Sequence, residues 1–235
     1  MVHRCVIKTL PWNNRIDLLM KKLSLACHII RNAKTYMTVC SLKMICHAFY
    51  NWAACYRIIF WGNSSHCSTI FTIPPQKKAF RIMEGCGNRV SCINLFKKLQ
   101  ILPLTPQYIL SLLMSVVQNK NLFSTNIENH NIDTRQRNNS YSPQTNLTIF
   151  QKAVYYSGIK IFNSLPLEFK NVVGNLKKFK IALKQFLYTY SFYALEEYFN
   201  QTWIVYCNTK FLIILVLVLR FCQCTLYGYS LMSIM

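Results

Sequence analysis

The chain has 235 residues, and just over half of them are apolar or aromatic, enough to bury the core of one ordinary domain or two small ones. Lysine and arginine total 27 against 7 acids, a formal charge of +20 that is spread along the chain rather than gathered in a tail. Such a molecule repels itself and gains most from a polyanion, either nucleic acid or an anionic membrane surface, while chemistry that needs several carboxylates is poorly provided for.

In chain order, Ile16, Leu19, Leu23, Ala26 and Ile30 advance by alternating steps of three and four, with Lys21, Lys22 and Arg31 off the stripe. That spacing predicts an amphipathic helix. Thr38 is placed to cap a second helix, whose stripe runs Val39, Leu42, Cys46 and Phe49 and extends to Trp52. Residues 56–61 form a short β-branched and aromatic segment closed by a turn at Gly62, Asn63 and Ser64. Pro74 and Pro75 are expected to break any helix begun at Ile70.

Ser91 suits the N-cap of a short helix ending at Leu99. Thr105, with Pro106 at the first helical position, opens a longer one through about Asn119. The longer helix is apolar nearly all round (Ile109, Leu110, Leu112, Leu113, Met114, Val116, Val117). A bilayer span needs about 20 residues, so this helix reads as core. Residues 120–147, rich in Asn and Ser, read as a linker or long surface loop.

Residues 150–162 are amphipathic and stop at Asn163, Ser164, Leu165 and Pro166. The last clear helix begins near Asn175 and sets Leu176, Phe179, Leu183, Phe186 and Tyr190 on one face, flanked by Lys177, Lys178, Lys180 and Lys184. Like charges this close repel by about a few tenths of a kcal/mol per pair, so phosphates would steady that helix. In residues 211–235 Arg220 is the only charge, and residues 211–219 are wholly apolar. A central Arg costs about 2.5–3.5 kcal/mol on insertion scales, and the surrounding Leu, Ile, Val and Phe at about 0.3–0.6 each offset it. Energetics therefore permit a tail anchor there.

Eleven cysteines (Cys5, Cys27, Cys40, Cys46, Cys55, Cys67, Cys86, Cys92, Cys207, Cys222, Cys224) are an odd number in no compact framework. Several fall inside helical stripes, where a thiol acts as a small hydrophobe, as in a reducing compartment. Residues 1–25 contain Arg4, Lys8, Arg15, Lys21 and Lys22 and no apolar run of signal-peptide length. The expected location is intracellular, nucleus or cytoplasm, and not secreted, so Asn-x-Ser/Thr triplets at Asn63, Asn138, Asn146 and Asn200 are read as chance.

Two-metal polymerase or nuclease chemistry needs at least two converging carboxylates. The two aspartates, Asp17 and Asp133, are far apart in sequence, and Glu196 and Glu197 are neighbours whose side chains diverge on a helix. No C-x-x-C pair exists; Cys86 and Cys92 or Cys222 and Cys224 are wrongly spaced, and His28, His47, His66 and His130 are scattered. A Cys or Ser nucleophile would want an orienting acid that this chain rarely offers. Gly85 and Gly87 lack the third glycine and the lysine of phosphate-binding loops. What remains are basic groups interleaved with aromatics: Lys77, Lys78 and Arg81; Lys97 and Lys98; Arg135 and Arg137; Lys177, Lys178, Lys180 and Lys184. These are the candidate nucleic-acid-binding residues, with no catalytic and no metal-binding residue assigned.

Particular strings then matter. KLSLACHIIR (22–31), IIFWGNSS (58–65), RIMEGCGNR (81–89), LFKKLQILPL (95–104), NIDTR (131–135), YYSGIKIFNSLP (155–166) and KKFKIALKQFL through SFYALEEYF (177–199) occur in one order. In that order they resemble the region downstream of the polymerase domain in jockey-type non-LTR (LINE) retrotransposon reverse transcriptases. The resemblance covers about residues 12–200 and implies a mainly α fold: a helical thumb-like segment (12–119), a linker or long loop (120–147), a small basic helical C-terminal region (148–200), and an apolar tail (201–235) of readthrough or membrane character. Because the family's catalytic aspartates lie upstream, it implies a non-catalytic fragment with no cofactor of its own, the Mg2+ belonging to the parent polymerase. The implied partners are RNA or DNA and the upstream polymerase region of the same element. The alternative is a tail-anchored membrane protein with a basic cytosolic domain, its partner a membrane. Arg57, Pro74, Pro75, Val90, Ile93 and Asn94 depart from the family's pattern, as drift in a decaying copy would produce.

Overall fold

The three-and-four spacing of residues 16–30 becomes helix α1 (Trp12–Ala33) in a computed structural model that describes residues 12–51, 55, 58–63, 74–130 and 139–201. The fold is mainly α, with no strand among the described residues. Ile16, Leu19, Leu23, Ala26 and Ile30 are all buried, whereas Lys21, Lys22 and Arg31 are exposed. Helix α2 (Val39–Ile45) starts at Thr38, whose Oγ1 accepts from the Ser41 N–H at 3.4 Å, as expected of a cap. It widens into a π-helical turn (Cys46–Asn51) that packs against α1. Leu42 and Cys46 are buried, but Val39, at the open end of the stripe, is exposed. The side chain of Phe49, and Trp52 altogether, lie outside the described residues.

Helix α3 (Ile58–Trp61) is a single turn that buries Ile58 and Trp61. Gly62 closes it by donating to Ile58 O at 2.8 Å. A Cβ on Gly62 would lie 2.6 Å from that carbonyl and collide with the Tyr108 ring, so only glycine lets the turn reach the core. Ser64 and Ile70 lie outside the described residues.

Pro74 and Pro75 open helix α4 (Pro74–Glu84), a helix that the sequence reading did not place, while the segment from Ile70 that they were expected to interrupt lies outside the described residues. The first N–H groups of any helix lack an intrahelical acceptor, so two prolines there forfeit no hydrogen bond, and their fixed φ suits the start. Helix α4 packs along α1 and buries Ala79, Phe80 and Met83. Helix α5 (Ile93–Leu99) ends where expected but begins after Cys92, not Ser91. The Cys92 thiol donates to Lys77 O at 3.7 Å, tying the start of α5 to α4, and this sulfur contact displaces the serine cap. At the far end Gln100 adopts a left-handed conformation, φ 54°, and its carbonyl accepts from the Tyr188 hydroxyl at 2.8 Å.

Helix α6 (Leu104–Gln118) is the buried one, as expected, with Tyr108, Ile109, Leu112 and Leu113 fully enclosed. Its start differs from the sequence reading. Pro103 occupies the cap and Pro106 the third helical position, while Thr105 donates its hydroxyl hydrogen to Tyr193 O at 2.7 Å instead of capping. The first N–H, of Leu104, donates to Oε1 of buried Gln76 at 3.3 Å, so α4 supplies the cap that α6's own sequence lacks. A tertiary cap of this kind leaves no local signal.

Past α6 come a 3-10 turn (Lys120–Leu122), helix α7 (Asn126–His130) and an isolated antiparallel bridge between Thr125 and Ser140. Asn163 grips the returning strand of chain, its Oδ1 accepting from Ser140 N–H and its Nδ2 donating to Ser140 O, both at 2.9 Å. Lys170 donates to Asn139 Oδ1 at 3.0 Å and to Asn163 O at 2.9 Å, and burial pushes its ammonium below the usual lysine value.

The helix expected over residues 150–162 is broken in two, α8 (Thr148–Gln151) and α9 (Val154–Asn163). Ala153 is extended, and Asn63 reaches across to donate to Lys152 O at 3.4 Å and Ser157 Oγ at 2.8 Å. That long-range contact supports the kink. Gly158 lets α9 lie against α6, since a Cβ there would be 2.8 Å from Val116 Cγ2. After α10 (Leu167–Asn171), helix α11 (Leu176–Tyr190) begins at Asn175, whose Oδ1 accepts from Lys178 N–H at 3.1 Å. Phe179, Leu183 and Phe186 are buried as the stripe requires, together with Leu187; its two ends, Leu176 and Tyr190, are exposed. Residues 195–201 add a last helical segment, α12, with Tyr198 fully buried and donating to Ile161 O at 3.2 Å.

Helices α3, α9 and α11 all rest on α6, and one hydrophobic core runs from Ile16 to Tyr198 across both sides of the 120–147 segment. No single described helix is long and apolar enough to cross a membrane. Only α5 and α6 pass as a pair, bent by 56°, and their apolar side chains form the core. The 202–235 tail lies outside the described residues.

Two expectations follow from this packing. Gly62→Ala should destabilise the fold by about 1–3 kcal/mol through overpacking, while Gly87→Ala, whose Cβ meets nothing within 4 Å, should stay within about 0.5 kcal/mol; urea midpoints compare them. Burial pushes the Cys46 thiol up to about 12 and Cys55 to about 11, whereas Cys40 is exposed. At pH 8 the buried Cys46 and half-buried Cys55 thiols are both protonated in the folded chain, so mass spectrometry after brief iodoacetamide treatment should find Cys40 alkylated well before either.

Candidate nucleic-acid interface

The basic segments of α4, α5 and α11 are far apart in sequence, yet α5 packs against both of the others. Aromatic contacts bind this group. The Phe80 ring of α4 meets Phe96 of α5 edge-on at 4.7 Å between centroids, and Phe96 meets Tyr193, just past α11, at 6.2 Å. Tyr188 of α11 closes on the C-terminal end of α5 through Gln100. Phe80 and Phe96 are buried and Tyr188 and Tyr193 half-buried, while Lys78 and Lys97 are exposed.

The cations fall into two sets. Lys77 is half-buried, with Nζ 4.3 Å from the Tyr193 ring centroid, a cation–π contact within one face of the protein. Arg81 donates from Nε at 3.0 Å and from a terminal nitrogen at 2.8 Å to Val90 O, and so holds the Gly85–Val90 turn. Lys98 pairs with Glu84, whose carboxylate keeps the ammonium protonated to higher pH than usual. Three of the expected phosphate ligands are thus engaged internally. Lys78, Lys97, Lys177, Lys178 and Lys180 are exposed, and Lys184 is half-buried. Ile181, 60 % exposed, lies among the α11 lysines. Arg135 and Arg137 lie outside the described residues.

Tyr193 is the aromatic member that sequence reasoning did not single out. Burial pushes its phenol up to about 12, against the opposing pull of Arg81, so it is a neutral hydroxyl under all physiological conditions. Its backbone N–H donates to Glu197 Oε2 at 2.8 Å, which fixes the entry to α12 and engages one of the few acids. Also missed were Phe123 and Tyr155, whose rings stack 5.0 Å apart with planes 8° from parallel. A signal for them was present in the sequence: each follows a lysine by three positions, Lys120 and Lys152.

Among the described residues no three His, Cys, Asp or Glu side chains gather as a metal site. Asp17 is exposed on α1, Asp133 lies outside the described residues, and Glu196 is exposed beside Glu197. Comparison with known proteins found no matching family model, curated protein or solved structure.

The two sets of cations should separate experimentally. Arg81→Ala should lower stability by about 1–3 kcal/mol, because Val90 O loses a charged double donor, while Lys78→Ala and Lys97→Ala should leave the melting temperature in place. In an RNA-binding assay the order reverses, with the exposed lysines mattering more.

Proposed function

We propose that this chain is a non-catalytic, mostly helical C-terminal fragment of a retrotransposon RNA-directed DNA polymerase, whose remaining activity is to bind RNA or DNA through the exposed face of α4, α5 and α11. The observation that carries the binding reading is that α4 and α11 both pack on α5, which brings together basic segments around residues 78, 97 and 177–180 whose lysine side chains are exposed. Five exposed lysines on one packed group of helices, in a chain of charge +20, attract phosphate by counterion release without requiring a shaped pocket. The polymerase origin rests on the ordered strings from KLSLACHIIR to SFYALEEYF, which resemble the thumb-like region after the polymerase palm. In that reading the upstream polymerase region is the natural partner, and the Mg2+ chemistry belongs to it.

The purified chain should incorporate no deoxynucleotide in a primer-extension assay; template-dependent synthesis would sink the assignment. The logarithm of affinity for single-stranded RNA should fall linearly with the logarithm of salt, by about 0.7 per phosphate contacted. Replacing Lys177, Lys178 and Lys180 together by alanine should flatten that slope by about 2, and an unchanged slope would remove α11 from the interface.

A further inference from the structure

Phe123 follows the 3-10 turn Lys120–Leu122, and Tyr155 stands in the first turn of α9, yet their rings lie in a near-parallel stack. Tyr156 meets Tyr155 edge-on at 5.6 Å and 80°, so the Tyr155 ring is held from two directions. Neither ring is fully buried. An aromatic pair that served only the core would be enclosed, as Phe80 and Phe96 are.

Each ring also travels with a cation. The Phe123 N–H donates to Lys120 O at 3.0 Å, which fixes that lysine one turn behind its ring. Lys152 O accepts from Asn63 Nδ2 and from Ser157 Oγ, both at 3.4 Å, which fixes the second lysine one turn behind Tyr155. Both lysine side chains are exposed. Glu128, the acid of neighbouring α7, engages one carboxylate oxygen with the Thr125 N–H at 2.8 Å. The outcome is a pre-assembled, partly exposed aromatic stack with an exposed lysine anchored through its backbone one turn before each ring.

We propose that Phe123 and Tyr155 form a base-stacking site for single-stranded nucleic acid, with Lys120 and Lys152 holding the phosphates on either side of the stacked base. The proposal rests on the nucleic-acid reading above and deepens it by naming the strand: a paired base has both faces covered, and only an unpaired one extends the stack. Stacking of this kind tolerates any sequence, because every base offers a π face.

The test titrates the full chain, by fluorescence anisotropy at low salt, with an oligouridylate of about ten nucleotides and with an abasic phosphodiester strand of equal length. The wild type should prefer the base-bearing strand by about tenfold. Phe123→Leu combined with Tyr155→Leu should abolish that preference while leaving abasic binding in place, and Phe123→Tyr, which keeps a ring, should retain it. Lys120→Ala with Lys152→Ala should flatten the salt slope by about 1.4. Equal wild-type affinity for both strands would overturn the stacking site and leave the lysine interface standing. Binding to neither strand would overturn both. Loss of preference in Phe123→Tyr would also count against stacking.

Discussion

Helix α6 is enclosed on most of its circumference, and the rest of the molecule is arranged around that enclosure. Each fully buried Leu or Ile contributes about 1.5–3 kcal/mol, and α6 buries several in succession, so its burial is the term that opposes the self-repulsion of a +20 chain. Its N-terminal end is also a junction. Gln76 of α4 satisfies the first N–H, and Thr105 donates to the chain just past α11. The same end of one helix therefore fixes the helix that carries Lys77, Lys78 and Arg81 and the segment that carries Tyr193.

Around that junction the fold divides its cations by task. Lys77, Arg81, Lys98 and Lys170 each meet a ring, a carbonyl or a carboxylate within the protein, so their charge stabilises turns and loop ends. The lysines of α11 and the exposed Lys78 and Lys97 have no such task evident in the geometry, and they supply the surface field. With so few acids, and with Glu84, Glu128 and Glu197 already engaged with a lysine or backbone N–H groups, little opposes that field locally. Under the proposed function, bound phosphates discharge it.

Much of the helical skeleton was legible because its causes are local. The α1 stripe, the Thr38 cap, the buried character of α6 and the Asn175 cap of α11 depend on residues within two turns of each other. Differences arose where a distant partner decided. The start of α6, capped by Gln76, falls two residues earlier, Asn63 supports the split of the 150–162 segment at Ala153, and Cys92, in contact with Lys77 O, stands at the cap position in place of Ser91. The start of α4 at Pro74 and Pro75 carries little periodic signal, because proline is helix-breaking everywhere except in a first turn, where its missing N–H is harmless. For the candidate interface, sequence located the basic groups but not which were engaged internally, since Arg81 and Val90 or Lys98 and Glu84 meet only through folding. The Phe123–Tyr155 stack, from rings 32 positions apart, was hidden for the same reason.

In the proposed reading, burial of α6 draws separate basic segments into one phosphate-binding surface. Hydrogen exchange of the chain with and without saturating single-stranded RNA tests it most directly. In the unbound chain α6 should exchange most slowly, and RNA should slow α5 and α11 together, over a single range of salt concentration. Protection of one of these helices without the other, or an α6 that exchanges as fast as the surface helices, would contradict the account.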